Sequence, residues 1–223
     1  MSQLSSVYKQ AIVNKPILDN FLTKVGRQSG GKPISNFKSP TTAVEKVEEK
    51  KAEDPGRDYS LSKVNDIARA RLVYNSRDAL MKGVDDFKRD IKATPMKVVK
   101  TENFFQKPED GYMGYHIDVA FPNGQHSEVQ FHTTNSYAAA LATHKTHEEY
   151  GDNVPSDAAK RNEEANARIM SLPEAQAQKI ADTVEQQNAP IQNASQVEAF
   201  NAALGNKMTR LKQAMELAKG QNG

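Results

Sequence analysis

The sequence predicts an α+β domain followed by a helical extension. Three observations carry this reading: amphipathic and apolar-alternating segments mix through the first 150 residues, a strand pair surrounds a Pro-Asn-Gly turn, and the chain becomes Ala- and Gln-rich and almost strand-free after Gly151. Three stretches follow: an N-terminal helical segment (1–32), a sheet domain (33–150) and a helical C-terminal extension (151–223). In the first, Val7, Ile12, Val13, Ile17, Leu18, Phe21 and Leu22 recur at roughly helical spacing, enough for one amphipathic helix or two. Gly26 to Ser35 reads as a loop from its Gly, Ser and Pro content, and Thr41 to Lys51 as a helix ended by DPGRD. Asp66 to Tyr74 (DIARARLVY) has the pattern of a buried strand. Ser76 caps a helix running to Ile91, with Ala79, Leu80, Val84, Phe87 and Ile91 on one face. Lys97 to Phe105 is a further strand, and Ser136 to Tyr150 a helix by its alanines.

The hairpin GYMGYHIDVAFPNGQHSEVQFHT (Gly111 to Thr133) can be read by register. A three-residue loop Pro122-Asn123-Gly124 sets Phe121 against Gln125, Asp118 against Glu128 and His116 against Gln130. Ile117, Val119, Val129 and Phe131 then share the opposite face. A two-residue Asn-Gly loop would set Val119 against Glu128 and mix the faces, so the pattern favours the longer loop. One face is therefore wet, and two acids meet on it. Asp118 and Glu128 would repel unless a cation or a basic group lies between them, which suggests a metal. Tyr115 reads as a core residue, and His126 and His132 as solvated or structural ones. His144 and His147 at i, i+3 resemble half a metal site, but no third and fourth ligand stands at zinc spacing.

Composition narrows the classes of function. The 223 residues carry 30 basic and 28 acidic side chains, a net charge of +2, which disfavours an extended nucleic-acid surface or a basic membrane face and leaves room for a small polyanion. The absence of cysteine excludes disulfides, thiolate metal sites and Cys nucleophiles. No apolar run approaches the ~20 residues of a membrane span and no signal peptide is visible, so the expected compartment is the cytoplasm. In the extension, helices are expected over Ser156 to Ser171, Ser171 to Asn188 (capped by Ser171, with Pro173 in its first turns) and Ser195 to Lys219 (a Ser195/Glu198 capping box). The last has Val197, Phe200, Leu204, Met208, Leu211 and Met215 on one stripe, suited to packing on the sheet domain or a partner helix, with self-association as the alternative.

Four motifs in order, FKSPTTAVEKV, DIARAR, GYMGYHIDV and EVQFHT, resemble the synthetase domain of the RelA/SpoT family over about Pro33 to Tyr150. The likeness is greatest to small single-domain alarmone synthetases, and within them to divergent phage- and toxin-type members. The resemblance implies a mixed sheet of about five strands flanked by helices, and an enzyme that moves the β,γ-pyrophosphoryl group of ATP to the 3′-hydroxyl of GDP or GTP, with Mg²⁺ as cofactor. Carried over residue by residue, Lys38, Ser39 and Lys46 would meet the ATP phosphates and Arg71 would stack on adenine. Asp66 would hold Mg²⁺, and Glu128 would complete the metal site or take the 3′-hydroxyl proton. Tyr112 would stack on the acceptor base, with His116, Gln130 and His144 around the acceptor.

Three positions depart from the family pattern. Asn36 stands where an arginine usually covers the other side of adenine, Arg69 replaces a glycine and could supply that guanidinium, and Met113 replaces a basic residue after the stacking tyrosine. The hydrolase domain of long family members has no counterpart here. Alternatives are therefore transfer to an adenosine nucleotide or to the 3′ end of tRNA, as a growth-inhibiting toxin would do, and a non-enzymatic nucleotide-binding or structural phage protein. A homo-oligomer or a neutralising protein could engage the C-terminal helices.

Overall fold

A computed structural model describes residues 3–56, 58–108, 111–150, 154–188, 191, 193, 195–197 and 199. The first helix, α1 (Gln3–Ser29), is continuous through Pro16. It ends where Gly30 adopts a φ of 81° and donates its amide to the Gly26 carbonyl (2.8 Å), a left-handed termination that glycine accommodates without strain. The next segment differs from expectation: residues read as loop form an edge strand, β1 (Lys32–Phe37). Only Ile34 and Phe37 are apolar in it, so no alternation marks it, and Pro33 is tolerated because an edge strand need not donate from both sides.

Ser39 then caps α2 (Pro40–Glu53), accepting the Thr42 amide (3.1 Å), with Pro40 at the first helical position. Strand β2 (Ala68–Tyr74) follows, then α3 (Arg77–Asp90), whose cap Ser76 accepts the Ala79 amide (3.2 Å). After β3 (Lys97–Asn103) come β4 (Tyr115–Ala120) and β5 (His126–Thr133). These two pair with Asp118 opposite Glu128 and His116 opposite Gln130, and the Phe121 amide donates to the Gln125 carbonyl (2.8 Å) around the three-residue loop. The register read from alternation is the observed one.

The strands form one mixed sheet in the order β1-β2-β5-β4-β3, with β2 and β5 parallel and the other neighbours antiparallel. One face carries Leu72, Tyr74, Val129, Phe131, Ile117 and Val119 and packs on α1 and α3 through Leu18, Phe21, Leu22, Leu80, Val84 and Phe87. The opposite face is partly covered by α4 (Thr134–Tyr150), α5 (Ser156–Met170) and α6 (Glu174–Asn188), which bury Ile34, Val73 and Tyr137 with Ile169, Ala177 and Ala181. No helix among the described residues is long and apolar enough to cross a membrane.

Two expected caps are reassigned. Ser171 closes α5, its amide reaching the Ala167 and Arg168 carbonyls, and α6 begins after Pro173, so Ser171 is the end of one helix and not the start of the next. Asn193 and Gln196 make the reciprocal capping bonds expected of Ser195 and Glu198: the Gln196 amide donates to Asn193 Oδ1 (2.9 Å) and the Asn193 amide to Gln196 Oε1 (3.3 Å). Ser195 lies inside the helix so capped, and its expected partner Glu198 lies outside the described residues. Ile191 bridges to Phe37 at the free edge of β1, and Val197 is fully buried among Val7, Tyr8, Ala43, Val47 and Ile67. The rest of the expected stripe, from Phe200 to Met215, lies outside the described residues.

Candidate active site

Strand alternation gathers polar side chains on the face away from α1 and α3. On β2 these are Arg69 and Arg71, on β5 Glu128 and Gln130, on β4 His116 and Asp118. The parallel register sets Arg69 beside Glu128 and Arg71 beside Gln130. Residues 59 positions apart in sequence thus become lateral neighbours.

At one end of this face lies Asp66, just before β2 and only 7% exposed. Lys38 leaves β1 with its amide bonded to the Ile67 carbonyl (2.9 Å), which extends the strand pairing and brings its ammonium to Asp66 Oδ2 at 3.0 Å. The Tyr8 hydroxyl fixes the Lys38 carbonyl from α1 (2.6 Å). From α2, Lys46 Nζ reaches Asp66 Oδ1 at 3.2 Å. Burial alone would push the Asp66 carboxyl up; the charges of Lys38, Lys46 and Arg69 outweigh it and hold the group well below the usual carboxylate range. Lys46 is correspondingly raised, its burial outweighed by Asp66. Ser39 lies beside this cluster, its hydroxyl engaged as the α2 cap and 2.9 Å from Thr42 Oγ1.

The other end is built around Glu128 by Gln130 and His116. Gln130 Nε2 donates to Glu128 Oε1 (2.6 Å), and its carbonyl oxygen accepts from Arg71 Nε (3.0 Å). His116 Nδ1 faces Glu128 Oε2 at 3.5 Å, and His116 Nε2 lies 2.6 Å from the Tyr112 hydroxyl. Burial raises the Glu128 carboxyl, but the His116 and Gln130 bonds bring it below its ordinary value. Opposite it, Asp118 is raised, by burial first and by the Glu128 charge as well, while Asn65 Nδ2 donates to it (2.8 Å). The facing acids are thus accommodated by separate polar donors on each. Among the described residues, no group of three or more His, Cys, Asp or Glu is placed to hold a metal ion by itself.

Of the remaining candidates, Arg69, Arg71 and Tyr112 adjoin this line. Arg69 Nε donates to Asn36 Oδ1 (2.9 Å), so the two departures from the family pattern are paired with each other. Arg71 lies over the Tyr137 ring, 5.6 Å from its centroid, and the Tyr137 hydroxyl donates to Glu185 of α6. Tyr112 is half-buried, its ring in edge-on contact with Phe104, His116 and His132. His144 is half-buried on α4 between Thr143 and Thr146, which bond Asn166 and Asn162 of α5. Tyr115 packs in the core, and His132 is fully buried as a structural residue. Sequence reasoning passed over Asn65, Ser136, Tyr137 and Glu185. Asn65 adjoins Asp66 and could have been suspected; Glu185 reaches its partner across 48 positions with no local signal.

No protein-family model matches the chain, and no curated protein is similar to it in sequence. Solved structures are similar in fold. A Streptococcus mutans UA159 protein matches with TM-score 0.60 and 19% identity over 84% of this chain and 98% of that one. A GTP pyrophosphokinase family protein from Streptococcus pneumoniae matches with TM-score 0.59 and 20% identity, over 85% and 98%. Small alarmone synthetase 1 from Bacillus subtilis, bound to its product pppGpp, matches with TM-score 0.56 and 18% identity, over 82% and 95%. The polar sheet face with its two carboxylates is carried by a chain that has the fold of the small alarmone synthetases.

Proposed function

We propose that the protein is a Mg²⁺-dependent pyrophosphokinase that transfers the β,γ-pyrophosphoryl group of ATP to the 3′-hydroxyl of a guanosine nucleotide, making (p)ppGpp. The observation that carries the proposal is the pairing of two differently supported carboxylates on one sheet face: Asp66 between two lysines and Glu128 between Gln130 and His116. The fold shared with a synthetase captured with pppGpp supports it.

In this reading Lys38 and Lys46 exchange Asp66 for the ATP phosphates, where two ammoniums offset charge that develops as the pyrophosphoryl group moves. Arg71, braced by Gln130 and Tyr137, offers a guanidinium plane to adenine, and the Arg69–Asn36 pair lies alongside. The acceptor's 3′-oxygen attacks the β-phosphorus, the bond from that phosphorus to the α,β-bridging oxygen breaks, and AMP leaves. The 3′-hydroxyl proton passes to Glu128, which is ionised and so able to accept it. Tyr112 stacks on the acceptor base, with His116 and His144 toward its ribose and phosphates.

A divalent ion suits the donors present. Asp66 and Glu128 are both anionic, and the Asp66 charge reaches Glu128. Two carboxylates with the substrate phosphates form the kind of oxygen set Mg²⁺ takes, in keeping with the lack of a wholly protein-built cage among the described residues. When bound it would supply charge against the polyphosphate.

The test is to incubate the protein with γ-labelled ATP, Mg²⁺ and, separately, GDP, GTP, an adenosine nucleotide or tRNA. Label on GDP or GTP supports the proposal. Label on adenosine nucleotide or tRNA alone would reassign the acceptor, and no labelled product with any would leave a nucleotide-binding protein without transfer activity.

A further inference from the structure

Glu128 is held from two sides, and the second side runs deep into the fold. On the first, Arg71 can only donate, so Gln130 must turn its carbonyl to Arg71 and its amide to Glu128 Oε1. On the second, Glu128 can only accept, so His116 turns its Nδ1–H toward it. The Tyr112 hydroxyl lies 2.6 Å from His116 Nε2 and 3.3 Å from His132 Nε2, and His132 Nδ1 faces the Ser136 hydroxyl at 3.2 Å. The Ser136 hydroxyl donates to the Thr133 carbonyl (3.3 Å), which fixes it from the backbone. One line of contacts thus joins Ser136, His132, Tyr112, His116 and Glu128.

Two further observations show that this arrangement is built and not incidental. His132 has no exposed surface, and its burial, with His116 and Arg71 nearby, holds its imidazole well below the ordinary value, so it stays neutral and can donate from one nitrogen while accepting at the other. At Gly114, a Cβ would lie 2.9 Å from the Tyr112 hydroxyl and 3.0 Å from His132 Cε1. The backbone passes so close to the Tyr112–His132 contact that any side chain there would have to displace it.

We infer that the Tyr112 hydroxyl and His132 are positioning groups for Glu128: they fix the ring orientation of His116, which in turn aims the carboxylate at the reacting hydroxyl. This rests on the proposed pyrophosphoryl transfer, and it gives Tyr112 a second task, separate from stacking by its ring. His132 touches no reactant; it acts through Tyr112 and His116. Outer partners of this kind orient the carboxylates and imidazoles that do chemistry, and removing one commonly lowers activity by about 10- to 100-fold.

The experiment has a spectroscopic arm and a kinetic arm. In ligand-free ¹⁵N-labelled protein, long-range ¹H–¹⁵N correlation of the imidazoles should show one set of ring signals for His116. Tyr112→Phe removes one oxygen atom and keeps the ring. It should shift and broaden the His116 ring signals, lower kcat about tenfold, and hold both KM values within about twofold. His132→Phe should reproduce the change, whereas His132→Gln, whose amide can still bond the Tyr112 hydroxyl, should restore the His116 signals and most of kcat. If His132→Phe does not fold, Tyr112→Phe alone decides. Unaltered His116 ring signals in Tyr112→Phe overturn the inference, as does an unaltered kcat. If no nucleotide is labelled by the wild type but the His116 signals respond as stated, the proposed reaction fails and the positioning chain stands.

Discussion

Asp66→Asn isolates the electrostatics of the site from its chemistry. The substitution keeps the side chain's shape and removes a charge that faces Lys38 Nζ at 3.0 Å and Lys46 Nζ at 3.2 Å. Removing one partner of a buried ion pair costs about 3–5 kcal/mol when the other charge is trapped. Here the Lys38 and Lys46 side chains retain 14% and 29% exposure, so the ammoniums can swing toward water, and the expected loss falls to about 1–3 kcal/mol. For a chain of this size that lowers the melting temperature by about 2–12 °C. The sign with pH follows from the direction of the shift. The folded-state pKa of Asp66 lies below the unfolded value of about 3.9, so its contribution is complete above that value and is lost as pH falls through the depressed folded value. Lys46 is raised, so its contribution is complete below an unfolded value of about 10.4 and lost only at still higher pH. Denaturant unfolding of both proteins should therefore give a stability gap that is flat from about pH 8 to pH 5 and narrows below about pH 4. Equal stabilities at pH 7, or a gap that closes between pH 8 and pH 5, would refute the picture of a carboxylate held ionised by these two lysines.

Other perturbations separate the roles. Glu128→Gln should reduce label transfer from ATP by about 10²-fold or more while thermal unfolding shows an intact fold; undiminished transfer removes Glu128 from the chemistry. Tyr112→Ala, titrated calorimetrically with each nucleotide alone, should weaken acceptor binding about ten- to a hundredfold and leave ATP affinity nearly unchanged. Equal loss for both nucleotides would take the Tyr112 ring out of the acceptor site. Val197→Ala should cost about 1–3 kcal/mol in chemical denaturation, because Val197 is fully buried against α1 and α2; a change below ~0.5 kcal/mol would mean that the chain beyond α6 does not contribute to this core.

The sequence made local features legible and left non-local ones hidden. Asp118 opposite Glu128 could be read because strand alternation and turn length together leave one register that keeps Ile117, Val119, Val129 and Phe131 on a single face. Strand β1 was missed for the complementary reason: it has little alternation, and what makes it a strand is pairing with β2 more than thirty positions away. The neighbourhood of Arg69 and Glu128 depends on a parallel pairing with no turn to announce it. The capping residues of the C-terminal helices were misplaced where several Ser, Asn and Gln residues satisfy the same spacing and only packing selects among them. His132 was read as solvated or structural from its neighbours alone; its burial, and the tyrosine it faces, are properties of the folded sheet.

The two acids of the site are kept ionised by opposite means, and the difference suits different tasks. Asp66 is surrounded by full positive charges, which stabilise its anion so strongly that it would make a poor proton acceptor; the same cations are free to turn to a polyanion of higher charge. Glu128 is held by the Gln130 amide and the His116 imidazole, whose N–H groups orient it, and the charge of Asp66 opposes its ionisation. A carboxylate so placed retains more basicity than Asp66 and has a fixed direction, the two properties a hydroxyl-activating group requires. The sheet provides the separation: Asp66 precedes β2 at the rim, where lysines can arrive from β1 and α2, whereas Glu128 lies within β5, where Gln130 of the same strand and His116 of β4 donate to it and Arg71 is taken up by Gln130. Exchanging the supports, for example by placing a lysine at Gln130, should therefore depress the Glu128 carboxyl further and slow transfer even though the carboxylate itself is untouched. Gln130→Lys protein with wild-type turnover would show that neutral support at Glu128 is not what the reaction needs.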